Sequence, residues 1–186
     1  MAVALAAVAG FLALLLWLNW GIWRSTAYRL TGVDFPLRET YRTDISERGR
    51  EAGFFVVVCQ LPDDVVDQLG QRGIKLSRYP MLDGLETGDG YTRVNWTNTF
   101  PRNDIEQEVF RHFKREVIVL NRIDPRDVRS DDDAIRLANS LIRDPNTLYA
   151  GWYKDKSSSG NIWIPHFYFY LLNLEQRTLI MFGLDT

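Results

Sequence analysis

Apolar and polar positions divide the chain into three stretches with different periodicities. From Met1 to Trp23 no residue carries a charged side chain. At about 1.5 Å per helical residue such a run rises roughly 34 Å, enough to cross a hydrocarbon core of about 30 Å. Trp17, Trp20 and Trp23 crowd its C-terminal end, where indole rings sit at the lipid–water boundary, and Arg24 marks the exit. The pattern predicts one transmembrane helix over 1–23. A cleaved signal peptide fits less well. There is no basic n-region, the apolar run exceeds the usual h-region of about 7–15 residues, and the small residues Ala7 to Ala9 precede its most apolar part, although Ser25 and Ala27 have cleavage-site spacing.

The second stretch, 24–52, has no sustained apolar period. Arg38, Arg42, Arg48 and Arg50 are interleaved with Glu39, Asp44, Glu47 and Glu51. The expectation is a solvated stalk, whose arginines would touch anionic headgroups if it faced the cytoplasm.

The third stretch, 53–186, alternates between strand and helix signals and reads as one α+β domain with a mostly antiparallel sheet and two to three packed helices. Phe54 to Leu61 is apolar on both pleat faces, which predicts a strand covered on both sides. Pro62, Asp63 and Asp64 then open a short helix with Val65, Val66 and Leu69 on its apolar face. Asp83 to Gly90 reads as a loop. In the next strand, Thr92, Val94, Trp96, Asn98 and Phe100 are expected on one face, with Arg93 and Asn95 on the other. Asn103 with Glu106, followed by Ile105, Val109, Phe110, Phe113 and Val117, predicts a helix. A further helix is predicted from Ser130. Its side chain caps while Asp133 reaches back, and Ile135, Ala138, Leu141 and Ile142 form the buried stripe.

The last third is the most aromatic part of the domain and reads as three strands, with Lys154 to Asn161 a loop and Asn173 to Arg177 a hairpin turn. Along Ile162 to Leu172 large side chains occupy both faces, Trp163, Phe167 and Phe169 on one and His166, Tyr168 and Tyr170 on the other. A strand between two layers is the expected arrangement, with a contact surface on one face as its rival.

Composition narrows the chemistry. All 22 basic and 24 acidic residues lie beyond Trp23 and are mixed in sign, so a basic nucleic-acid footprint is absent. Cys59 is the only cysteine, which excludes an intramolecular disulfide, and its apolar neighbours mark it as a buried small hydrophobe. The carboxylates Asp83, Glu86 and Asp89 match no calcium-loop spacing. Asp131, Asp132 and Asp133 read as first-turn carboxylates of a helix. Neither histidine, His112 or His166, has a visible catalytic partner, and phosphate-binding glycine loops and the G-x-S-x-G elbow are missing. No metal ligand set and no cofactor are expected.

The expected function is therefore that of a membrane-anchored, non-catalytic protein-binding module. Such a module would be an accessory or assembly subunit, or an immunity-type inhibitor. Trp152, Tyr153, Trp163, His166, Tyr168 and Tyr170 would form an aromatic interface. Asp131, Asp132 and Asp133 would meet a basic partner. The alternative is a membrane-tethered hydrolase or small-ligand binder using His166, Asp155 and the serines at 157–159. Counting Arg24 and Arg29 places the domain in the cytoplasm. A long trailing domain weakens that rule, and basic residues upstream of Met1 would reverse it. The reading is a single-pass protein of the bacterial inner membrane with a periplasmic domain, the cytoplasmic orientation being the alternative.

Overall fold

The computed structural model describes residues 25–46, 53–72, 76, 78–80, 90–98, 124–154, 164 and 166–185, with side chains omitted at 44–46, 53–54, 72 and 184–185. The predicted membrane segment 1–23, the helix expected after Pro101, the loop 83–89 and the serine loop all lie outside them. Among the described residues no helix is long and apolar enough to cross a membrane.

Six antiparallel strands form one sheet: β1 (Arg38–Ser46), β2 (Gly53–Gln60), β3 (Tyr91–Thr97), β4 (Thr147–Lys154), β5 (His166–Asn173) and β6 (Thr178–Asp185), in the order β1-β2-β6-β5-β4-β3. Strands β3 to β6 are a meander, and the β1–β2 pair is added where β2 meets β6, Val57 opposite Met181. Among the described residues three helices pack on this sheet: α1 (25–31), α2 (Asp63–Arg72) and α3 (Asp131–Ile142). The domain is thus α+β with an antiparallel sheet.

The helices cover both faces. On the first, Leu137, Ala138 and Leu141 of α3 meet Val56, Val58, Phe167, Phe169, Leu171, Ile180 and Phe182. On the second, Ala27 and Leu30 of α1, Phe35, Leu37, and Val65 and Leu69 of α2 meet Val57, Cys59, Trp96, Trp152, Leu172 and Leu179. Each fully buried Phe or Leu contributes about 1.5–3 kcal/mol of transfer free energy, so alternate residues of β2 and β5 hold two cores at once. That is why both strands are apolar on both faces.

Several local features follow the sequence closely. Asp63 and Asp64 occupy the first turn of α2, and the N–H groups of Val65 and Val66 donate to the carbonyl of Pro62. Ser130 caps α3, and the 174–177 turn closes β5 on β6. The hairpin end is held by a buried polar pair, Asn173 Nδ2 donating to Thr147 Oγ1 at 3.1 Å.

Two expectations are corrected. Most of the expected stalk lies inside the fold: Ala27, Leu30, Val33, Phe35 and Leu37 are core residues, and Arg38–Ser46 pairs with β2 along its length. A charged edge strand and a solvated linker have the same alternation of charges, because edge strands carry charge to block pairing with other chains. Val94 and Trp96 also do not share a face. The β3–β4 register shifts between Val94 and Thr97, so Val94 joins the first core and Trp96 the second. An irregularity of this kind breaks the period-2 rule that placed them together.

Candidate functional site

The acidic start of α3 is built by the chain just ahead of it. Asp124 caps the 3₁₀ turn Pro125–Asp127 and accepts three bonds from Arg126, from the backbone N–H at 2.8 Å, Nε at 2.9 Å and Nη2 at 2.7 Å. The side-chain bonds to Arg126, and then its backbone bond, hold the Asp124 carboxyl down at about 2. Val128 is then buried, which fixes where the helix starts.

The three aspartates of the first turn have separate tasks. Asp133 Oδ2 accepts from Ser130 Oγ at 2.8 Å and from the Arg129 N–H at 3.2 Å, while its own N–H donates back to Ser130 Oγ. This reciprocal cap, with the Ser130 bond as its largest cause, lowers the pKa of Asp133 below the usual carboxylate range. Asp131 Oδ1 accepts a hydrogen bond from the Tyr41 hydroxyl of edge strand β1. Asp132 is exposed. Helix start and sheet edge are therefore tied into one surface by residues 90 positions apart. Sequence reading missed Tyr41 because β1 itself was not expected. The only available signal was Tyr41 and Thr43 alternating with Arg42 and Asp44.

The aromatic residues are distributed differently from the expected interface. Trp152 and Tyr153 are 6% and 5% exposed and belong to opposite cores. Tyr153 stacks on Phe169 at 6.3 Å, whereas Trp152 meets Tyr170 edge-on at 5.5 Å and Trp96 lies 6.5 Å from Tyr170 on the same face. Tyr168 packs on Phe55 at 5.9 Å. Burial raises the pKa of Tyr170. The structure thus brings Trp152, Tyr168 and Tyr170 together as sheet-covering residues on the second face and sends Tyr153 to the first. Trp163 lies outside the described residues. The expectation of a strand between two layers matches this arrangement of β5.

His166 sits at the start of β5, with Lys154 of β4 and Asp185 of β6 as its cross-strand partners. The Lys154 ammonium lies over the Tyr91 ring, 5.4 Å from its centroid. Asp155 and the serines at 157–159 are outside the described residues. Cys59 is fully buried, and desolvation, with Glu39 second, pushes its thiol up to about 12. Such a thiol stays protonated and unreactive at neutral pH. Among the described residues no group of three or more His, Cys, Asp or Glu side chains is placed to hold a metal ion.

No family model, curated protein or solved structure matches the chain.

Proposed function

We propose that the protein is a membrane-anchored, non-catalytic binding module. In this reading residues 1–23 hold the domain at the bacterial inner membrane, on the periplasmic side, and the domain engages one protein partner. The observation that carries the reading is the fixed acidic surface at the start of α3. Asp131 is tied to β1 through Tyr41, Asp133 is locked in the cap, and Asp132 is exposed between them. A surface whose side chains are already held loses little freedom on binding, and its charge selects a basic partner and speeds encounter. Tyr153 of β4 and Phe167 and Phe169 of β5 pack in the same core as α3, beneath that surface.

Purification of the full chain from native membranes in mild detergent tests this, comparing wild type with Asp132→Lys. The expected result is a stoichiometric partner that is lost in the variant and weakened by salt. Equal recovery with both proteins, or no stoichiometric partner with either, overturns the reading.

A second reading keeps one specific observation. The Lys154, His166, Asp185 row places a basic, an imidazole and an acidic residue side by side at one end of the sheet, as a tethered hydrolase or ligand binder would need. Turnover of an ester or amide panel that disappears in His166→Ala, with the fold intact, would favour it.

A further inference from the structure

We propose that the surface of α1 carrying Tyr28 and Arg29 lies in the lipid headgroup layer, so that the domain sits flush on the bilayer in one orientation. This rests on the reading of residues 1–23 as a membrane anchor.

Proximity comes first. Arg24 is the only residue between Trp23, the end of the apolar run, and Ser25, the first described residue of α1. One residue spans at most about 3.6 Å, so α1 starts at the membrane boundary.

The second step is rigidity. Ala27, Leu30 and Thr31 are 0%, 2% and 0% exposed against the second face of the sheet. The end of the helix is bonded to the sheet by Trp96 Nε1, which donates to the Leu30 carbonyl at 2.6 Å, while Thr31 Oγ1 donating to the Ala27 carbonyl at 2.8 Å and the Gly32 N–H donating to the Tyr28 carbonyl at 2.7 Å close its own last turn. Gly32 turns the chain at φ 71°, and a Cβ there would lie 2.4 Å from the Tyr79 ring. A helix held this way cannot swivel against the sheet, and whatever orients the helix orients the domain.

Chemistry selects the outward face. Tyr28, at 50%, is the one large hydrophobic side chain exposed among the described residues, and Arg29 and Ser25 are exposed beside it. A phenol ring with a polar tip suits the boundary between acyl chains and headgroups, and a guanidinium suits lipid phosphate. By contrast α2, on the same face of the sheet, exposes Asp64 and Asp67, with Asp63 paired to Arg177 Nη1 at 2.6 Å. Asp64 and Asp67 are repelled by an anionic surface, so the contact centres on α1. The acidic start of α3, on the opposite face of the sheet, is then held roughly 20 Å away at about 10 Å per packed layer, clear of the lipid.

Site-directed spin labelling tests this in the full chain with Cys59→Ala, reconstituted in phosphatidylethanolamine–phosphatidylglycerol vesicles. A nitroxide on Tyr28→Cys is compared with one on Asp67→Cys, each challenged with oxygen and with a water-soluble nickel complex. The expected result is several-fold lower nickel accessibility at 28 than at 67, with oxygen accessibility higher at 28. Equal nickel accessibility in protein that survives a carbonate wash overturns the proposal and leaves the anchor standing. Release of the chain by the wash overturns both. An unchanged thermal midpoint for each labelled protein verifies that the fold is intact.

Discussion

Trp96 in edge strand β3 donates its indole N–H to the carbonyl of Leu30 in α1 at 2.6 Å, joining the start of the described chain to the far edge of the sheet. Trp152, on the same face, is equally buried, but its Nε1 has no hydrogen-bond partner among the described residues. The two tryptophans therefore give expectations of different size for one substitution.

Trp96→Phe leaves a buried carbonyl unsatisfied and is expected to cost about 1–3 kcal/mol beyond the lost ring volume. Trp152→Phe removes a donor with no partner among the described residues, so only the volume is lost. Urea unfolding in micelles should show the larger drop for Trp96→Phe. Equal drops would mean the Leu30 bond contributes nothing.

The Tyr41–Asp131 bond is testable by a double-mutant cycle. Tyr41→Phe, Asp131→Asn and the double variant are expected to show a coupling of about 0.5–1.5 kcal/mol at neutral pH. Desolvation, then the Asp131 bond, raises the Tyr41 pKa above 10.0. Folding therefore keeps the phenol protonated while the unfolded chain ionises, and stability is lost as pH rises above 10. The coupling should fade over that range, and a coupling that persists well above it would show that the hydroxyl is not the link.

Cys59 titrates with the same sign. Its pKa rises from 9.0 to about 12, through burial first and Glu39 second. Stability from the protonated thiol is complete below pH 9 and is lost between 9 and 12, with a slope of at most about 1.4 kcal/mol per pH unit. Cys59→Ala should flatten that part of the wild-type curve. The native thiol should also resist a disulfide reagent at pH 8 until denaturant is added, and rapid modification without unfolding would contradict its burial.

Gly151 of β4 lies opposite Phe169 of its neighbour β5. A Cβ there would lie 2.2 Å from the Tyr168 carbonyl oxygen and 2.7 Å from the Phe169 ring. Backbone cannot step aside as a side-chain tip can, so Gly151→Ala is expected to destabilise by about 1–3 kcal/mol or more through strain. A thermal midpoint equal to wild type would show that the two strands have room to part.

The core strands and α3 were legible because their signals are local. From Phe54 to Cys59 every position is apolar, which only a strand covered on both faces tolerates. Ser130 and Asp133 satisfy each other within one helical turn, so the cap can be read without the rest of the molecule. The acidic cluster was visible for the same reason, whereas its link to Tyr41 was not.

What the residues alone determined is the α+β class, the doubly covered strands, the buried Cys59 and the capped acidic helix, each set by spacing within about ten positions. Tertiary structure decided the rest. It made a charged stretch into β1 by pairing it with β2, turned Val94 and Trp96 to opposite faces through a register shift, and placed Trp152 and Tyr153 in separate cores. Those outcomes depend on which strand lies alongside and which helix lies above. Partners distant in sequence supply both, and no local period records them.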